Sequence, residues 1–249
     1  MRGYRGIDFN LLLARFTVER FLYRLAQSAY ADQFVLKGAM LLQVWLPEAG
    51  RPTRDLDLLG YGDLSADRLR QIFADVCDQA VNPDGVRFLA DSVTVRAIRQ
   101  QDEYGGQRVT IGGYLGSARL HLQVDVGIGD RLTPPAEWIE YPVLLDLPRP
   151  RLRAYRPETS IAEKLHAIVV LDWQNSRMKD FFDIWRLAQT HSFAGGSLVA
   201  AVRDTFDIAD DFASVAEATA RFLGPVLEAV HAGAPFSMIW PPGGPWERA

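Results

Sequence analysis

The chain has 249 residues, of which 48% are hydrophobic and 23% are charged, a composition typical of a globular protein that buries a substantial core. Its formal net charge of −4 excludes a protein that binds nucleic acid through overall positive charge, but not one with a local basic groove. The one cysteine, Cys77, excludes an internal disulfide and a thiolate metal site. No secretion signal and no apolar run of about 18 residues occur, so we expect a cytoplasmic protein that does not contact a membrane.

The N-terminal part of the chain changes from a helical to an extended pattern and back. Apolar residues at helical spacing predict an amphipathic helix from about Phe9 to Gln33. The β-prone run 34–36 is followed by Lys37 and Gly38, and the apolar run 39–45 predicts a buried helix. The expected order is therefore a strand, a glycine turn and a helix.

The middle of the chain has the pattern of a sheet. Residues 54–59 place two carboxylates in an alternating apolar segment, which predicts a strand. Ser65 precedes a predicted helix from about Ala66 to Val81. Three further segments alternate with period two between glycine-rich breaks, and they predict a mixed or antiparallel sheet: Val93–Ile98, Gln107–Ile111 and Ala118–Val126.

The C-terminal part is predicted to be helical. Prolines between residues 132 and 157 indicate a connection without long helices, and we place a domain boundary near Pro157. The domains expected are residues 1–157, with the sheet, and residues 158–249, with helices only. The predicted helices of the second domain are 161–173, 179–189, 198–206 and 214–232. The fold class expected is α+β, a mixed sheet flanked by helices and followed by a C-terminal helical bundle.

Asp55 and Asp57 are the first candidates for chemistry. They are two residues apart on the predicted strand, so their side chains share one face and can bind hard divalent cations such as Mg²⁺ together. Asp125 lies in a strand-like context, and a neighbouring strand would place it beside them as a third metal ligand. The alternative is a chance pair of aspartates, because such a pattern occurs in many proteins without a metal.

The glycine turn just upstream is the second candidate. Backbone N–H groups of a glycine turn before a helix can bind a phosphate, and Lys37 would add a positive charge. The alternatives are a solvated lysine and a Gly38 that only forms a tight turn.

These segments, in this order, resemble the nucleotidyltransferase superfamily of the polymerase-beta type. The chain resembles one branch more closely, the AbiEii/AbiGii toxin family, which includes MenT-like toxins. Four segments, within residues 20–190, carry the resemblance: Phe34–Ala39, Arg54–Asp57, Ser160–Ile168 and Arg177–Asp183.

The resemblance implies roles for individual residues. Asp55 and Asp57 match the metal carboxylates of a two-Mg²⁺ site, with Asp125 matched by context only. Lys164 matches a helical lysine that holds nucleotide phosphates, so that the helical domain would complete the nucleotide site. The remaining assignments are catalytic Asp180, with Asp183 as its rival, and the nucleotide contacts Lys37, Gly38, Arg54, Arg177 and Lys179. On the residues alone, the favoured alternative is that Lys164 is solvated and that the two later aspartates pair with basic residues of their own helix.

The resemblance also implies a function and partners. A nucleotidyltransferase toxin of a toxin–antitoxin or abortive-infection system would transfer a nucleoside monophosphate from an NTP to RNA, and we expect a tRNA 3′ end as the acceptor. A winged-helix-like antitoxin of the AbiEi type would be its partner, and we expect the toxin to be a monomer. The first motif departs from the usual Gly-Gly or Gly-Ser, because the chain has Lys37-Gly38-Ala39. The alternatives are a non-catalytic protein that binds a nucleotide or partner on the same fold, and a metal nuclease.

Overall fold

The computed structural model describes residues 8–46, 53, 55–98, 106–129, 132–171, 178–206, 220–221, 224–226, 228–229, 231–239, 241 and 245–248. The chain divides into two compact units, Met1–Ser160 and Ile161–Ala249. The domain boundary expected near Pro157 stays a prediction, and Pro157 itself is the first residue of a helix, a position that tolerates proline because the first N–H groups of a helix have no partner within it.

The first unit contains a large sheet and the helices that cover it. Its helices are α1 (Phe9–Gln27), the short α2 (Leu42–Trp45) and α3 (Ala66–Cys77), and the first residues of α4 (Pro157–Leu171) belong to it. Its strands are β1 (Phe34–Lys37), β2 (Leu56–Gly60), β3 (Val86–Phe88), β4 (Thr94–Ala97), β5 (Gly106–Leu115), β6 (Ala118–Ile128), β7 (Glu137–Glu140) and β8 (Arg151–Ala154). The 3₁₀ turns are Ala31–Gln33, Gly38–Leu41 and Ala90–Ser92.

The sheet is mixed. Its order is β3-β5-β6-β2-β1-β8-β7, and β4 pairs with β5 beside β3. The pairs β2/β6 and β1/β8 are parallel, and the other pairs are antiparallel. The predicted α+β class with a mixed sheet is confirmed.

Several element boundaries differ from the expected ones. Helix α1 ends at Gln27 because Ser28 is extended and its hydroxyl and amide both bond to the carbonyl of Leu25. Strands β7 and β8 lie in the proline-rich segment that was predicted to be a plain connection, and β3 was not predicted. These three strands have only three or four residues, too few for a period-two pattern to stand out.

Helices α1 and α3 cover one face of the sheet. Side chains at even positions of β2 and β6, such as Leu58 and Val124, are fully buried in this core. Phe21 of α1 stacks on Phe73 of α3 at a centroid distance of 5.7 Å. Because the helices take one face, the charged residues at odd positions of these two strands lie on the other.

A buried ion pair also holds α1 in place. The guanidinium of Arg24 donates to both carboxylate oxygens of Asp84, at 2.7 and 3.0 Å, and to the carbonyl of Val86 at 2.9 Å. Burial raises the pKa of Asp84, but the hydrogen bonds from Arg24 and from the Val86 amide outweigh it, so the pKa is lowered overall. The negative charge of Asp84 therefore stabilises the fold.

The second unit is mainly helical in its described part. It contains most of α4, then α5 (Met178–Thr190) and α6 (Gly195–Thr205), with a small core of Ala162, Ala201 and Val202. The expectation of helices alone is wrong, because β9 (Met238–Ile239) pairs with β10 (Glu247–Arg248). Two-residue strands give no pattern that a sequence can reveal. In the described part of the chain, no helix is long and apolar enough to cross a membrane.

Candidate active site

Five charged residues form a continuous row across five strands. Lys37 of β1 lies opposite Asp57 of β2, which lies opposite Asp125 of β6. Asp125 lies opposite Arg108 of β5, which lies opposite Arg96 of β4. Residues directly opposite one another point to the same face of a sheet. We call these five residues the charged row, and it lies on the face that α1 and α3 leave uncovered.

Asp57 packs directly against Gly38. The turn after β1 gives Gly38 a φ of +71°, and a Cβ at this position would lie 2.8 Å from Cγ of Asp57 and closer still to its Oδ2. Real Cβ atoms do not approach other atoms so closely. Gly38 is therefore required both by its backbone conformation and by the space that the Asp57 carboxylate occupies.

Asp55 lies one residue before β2 and is exposed. Its backbone N–H donates to the Thr53 hydroxyl at 3.3 Å. Among the described residues, no group of three or more His, Cys, Asp or Glu side chains is arranged to hold a metal ion. The predicted metal ligands Asp55, Asp57 and Asp125 therefore stay a prediction, and the last two are adjacent across the β2/β6 pair.

Asp125 is held by Arg108. The guanidinium donates from Nε to Oδ1 and from Nη2 to Oδ2, both at 2.8 Å, which is the bidentate geometry of a strong ion pair. This pairing reduces the repulsion between the neighbouring carboxylates of Asp125 and Asp57. Arg108 was not predicted as a site residue, although it lies in a segment that was predicted to be a strand.

Lys37 is positioned by an aromatic ring. Its Nζ lies 5.3 Å from the ring centroid of Tyr155, a cation–π distance. Tyr155 follows β8, is buried, and donates its backbone N–H to the carbonyl of Leu36 at 2.9 Å. The phosphate-binding roles of Lys37 and Gly38 stay predictions, and Tyr155 was not identified from the sequence.

A second charged cluster lies within the second unit. Lys164 of α4 donates from Nζ to Asp180 Oδ1 at 3.0 Å and to Asp183 Oδ2 at 2.8 Å, and both aspartates are on α5. All three side chains are largely buried. Lys164 is therefore not a solvated lysine, and the two aspartates, which the sequence analysis treated as rivals, share it as a partner.

Three other residues are predicted to contact the nucleotide: Arg54, Arg177 and Lys179. Lys179 is exposed on α5. Arg54 and Arg177 lie outside the described residues. The nucleotide-binding roles of these three residues, of Lys164 and of Asp180 stay predictions.

A family model described as "Nucleotidyl transferase AbiEii toxin, Type IV TA system" matches residues 20–233. The structure of a candidate nucleotidyltransferase from Helicobacter pylori matches with a TM-score of 0.52 and 17% identity, over 81% of this chain and 78% of that chain. JHP933 from Helicobacter pylori matches with a TM-score of 0.50 and 17% identity, over 75% of this chain and 69% of that one. No match was found among curated proteins. The structural likeness confirms the predicted nucleotidyltransferase-like fold.

Proposed function

Because the chain belongs to the AbiEii family of nucleotidyltransferase toxins of type IV toxin–antitoxin systems, we propose that it transfers a nucleoside monophosphate from an NTP to a tRNA 3′ end. The chemistry takes place at the charged row. The observation that carries this proposal is the position of Asp57, seated on Gly38 and adjacent to Asp125. The family also implies an antitoxin partner, for which we propose a winged-helix-like protein of the AbiEi type.

The carboxylates of the charged row, together with Asp55 just before β2, suit a divalent cation. Asp55 and Asp57 would hold Mg²⁺ with Asp125 as a further ligand, because carboxylate oxygens are the ligands that this hard cation prefers. Two bound Mg²⁺ ions would polarise the α-phosphate and neutralise charge on the leaving pyrophosphate. The contact with Gly38 would fix the position of Asp57, whereas the Arg108 guanidinium would compete with a cation for the Asp125 carboxylate.

The chain's own residues supply the remaining functions. Lys37, opposite Asp57 on the neighbouring strand, contributes a positive charge for the triphosphate. In the transfer, the acceptor's 3′ oxygen bonds to the α-phosphorus while the bond from this phosphorus to the bridging oxygen breaks and pyrophosphate leaves. The hydroxyl proton passes to a carboxylate of the charged row. We assign Lys164 to the nucleotide phosphates, as the family resemblance implies, with Asp180 and Asp183 as the residues that orient it.

The test is nucleotide transfer by the full chain. The purified protein is incubated with total bacterial RNA, Mg²⁺ and each radiolabelled NTP in turn, beside Asp57→Asn and the control Asp67→Asn. Asp67 is an exposed aspartate of α3 that pairs only with Arg70 in the described contacts. We expect label on tRNA-sized RNA that requires Mg²⁺, falls at least about 100-fold in Asp57→Asn and is unchanged in Asp67→Asn.

Other outcomes would contradict the proposal. Shortened RNA without label would identify a nuclease. If no label reaches RNA or protein although the chain is folded, the non-catalytic binding alternative becomes the better explanation.

A further inference from the structure

The sheet face that α1 and α3 leave uncovered, which includes the charged row, carries a concentration of positive charge. Strands β3, β4, β5 and β6 contain four arginines and one aspartate as their charged residues, an excess of three positive charges in a chain of net charge −4. The excess lies on one face, because the alternate positions of these strands are the apolar side chains of the core. We call Arg87, Arg96, Tyr114, Arg119 and His121 the basic face.

The strand register sets the geometry of the basic face. Arg87 of β3, Tyr114 of β5 and Arg119 of β6 lie opposite one another in one row. The guanidinium of Arg87 lies 5.4 Å from the ring centroid of Tyr114. His121 lies one row nearer the charged row, opposite Gly112, and is exposed.

The basic face leads to the carboxylates. Tyr114 is six residues from Arg108 on β5, a distance of about 20 Å along a strand. Arg108 is the residue that binds Asp125. Since stacked nucleotides of one strand advance about 3.4 Å each, this path spans roughly six nucleotides. Between the two ends lie His121 and three neutral polar residues: Thr94, Thr110 and Gln123.

The arginines of the basic face are available to a ligand. Arg87, Arg96 and Arg119 are exposed, and none of them forms an ion pair with a carboxylate in the described part of the chain. Separated positive charges match the phosphates of a nucleic acid strand, and an aromatic ring beside a guanidinium is a surface on which a base stacks. An acidic protein surface would use the charges but has no use for the ring.

We propose that the basic face binds the single-stranded 3′ segment of the RNA acceptor. Its terminal hydroxyl lies at the Asp57–Asp125 end of the path, and upstream phosphates lie on Arg119 and Arg87 with a base stacked on Tyr114. The direction in which the RNA lies rests on the proposed function, whereas the binding of RNA to the basic face does not.

Binding is tested with the full chain and a fluorescent single-stranded RNA of about 12 nucleotides, titrated between about 50 and 200 mM salt. The variants are Arg87→Gln/Arg119→Gln and Tyr114→Leu. The control is Arg68→Gln/Arg70→Gln on α3, which removes the same charge from the side of the sheet that α3 covers. A single strand releases about 0.7 counterions per neutralised phosphate. The first variant is therefore expected to reduce the slope of log K against log salt by about 1.4, and the control leaves the slope unchanged.

A variant of Tyr114 distinguishes an RNA ligand from a protein partner. We expect Tyr114→Leu to weaken RNA binding roughly 5- to 150-fold, the range of one base stacked on an aromatic ring, without changing the salt slope. A glutamate peptide of the same length should bind more weakly and respond to the arginines alone. If the peptide binds as well as RNA and Tyr114→Leu has no effect on either, the face serves an acidic protein and the proposal is wrong.

Kinetic measurements in the transfer assay test this proposal separately from the proposed function. In the transfer assay, Arg87→Gln/Arg119→Gln is expected to raise the KM for RNA at least about tenfold and to leave the KM for the NTP unchanged. If wild-type protein transfers nucleotides but the double variant changes neither the KM for RNA nor the salt slope, the basic face is not the acceptor site. If the wild-type protein binds RNA but transfers no nucleotide, and the variants bind RNA more weakly, the proposed function is wrong and the basic face is still an RNA-binding surface.

Discussion

Replacing Gly38 by alanine perturbs the candidate site in two separable ways. The first is the backbone, because a φ of +71° costs an alanine about 1–2 kcal/mol. The second is the contact with Asp57, whose Cγ would lie 2.8 Å from the new Cβ. To restore a normal distance the carboxylate has to retreat by roughly 1 Å or leave its rotamer, at about 0.5–1.5 kcal/mol. We expect a total loss of about 2–3 kcal/mol of unfolding free energy.

Two other glycines provide the matched controls. Gly62 and Gly116 have φ values of +83° and +58°, and a Cβ at either meets no atom within 4 Å. Alanine at these positions carries the backbone cost and the entropic gain of losing glycine, but no contact with a carboxylate. Urea denaturation measures the free energy for all three variants, and the labelled transfer assay measures kcat.

The effect on activity is expected to exceed the effect on stability. Displacing a catalytic carboxylate by about 1 Å lowers kcat on the order of 100-fold, so the folded Gly38→Ala protein should lose that much. Gly62→Ala and Gly116→Ala should keep nearly full activity after correction for the folded fraction. If Gly38→Ala matches the two controls in both stability and kcat, the contact between Gly38 and Asp57 does not constrain the site and the reasoning is refuted.

Three further predictions concern charged side chains. Arg108→Gln removes the positively charged partner of Asp125, so the Mg²⁺ concentration for half-maximal transfer should fall by up to about tenfold. An unchanged or higher concentration contradicts this. Asp125→Asn is the control in which the required Mg²⁺ concentration should rise instead. Asp84→Asn leaves Arg24 buried without its partner and should cost about 3–5 kcal/mol at neutral pH by urea denaturation. Because the pKa of Asp84 is lowered in the folded state, its charge stabilises the fold above the unfolded pKa near 4, and this stabilisation is lost as the pH falls below that value. The difference in unfolding free energy between the variant and the wild type should therefore narrow at low pH. A difference that stays constant with pH refutes the role of the charge. Lys164→Met leaves two buried carboxylates without their positively charged partner and should lower the free energy of unfolding by about 3–5 kcal/mol. A loss below about 1 kcal/mol would show that the cluster is solvated.

Local sequence patterns predicted the strands that carry the site residues, but not which strands pair with each other in the sheet. Period two was enough to place Asp125 on a strand, whereas the parallel pairing of β6 with β2 joins residues far apart in sequence. The strand-like context of Asp125 suggested a neighbouring strand but not which one, and the family resemblance matched Asp125 by context only; the family match and the fold confirm the resemblance itself and the enzyme class. One missed residue had a local signal. Gly116, with φ +58°, and Ser117 form a two-residue turn between β5 and β6, and such a turn fixes the register, which places Arg108 opposite Asp125.

The spacing of apolar residues does not identify the buried side of α5. Phe181, Phe182, Ile184, Trp185 and Leu187 recur at helical spacing, a pattern typical of a packed helix face. Leu187 is fully buried, but Phe182 and Trp185 are 46% and 54% exposed. Apolar residues on α5 cover more than the one face that a helix can bury against its neighbours. The buried side of α5 is marked instead by Asp180 and Asp183, and no pattern of apolar residues reveals buried carboxylates that bind a lysine from another helix.

The structure also explains why the first motif can depart from the usual Gly-Gly or Gly-Ser. Its two positions here are Gly38 and Ala39. The first faces the carboxylate of Asp57 and has a positive φ, so only glycine fits there without moving the site. The second is buried in the first unit, within the 3₁₀ turn that follows β1, and the turn accommodates its methyl group. The departure therefore falls at the position where a side chain is compatible with the fold, and the position that supports Asp57 keeps its glycine.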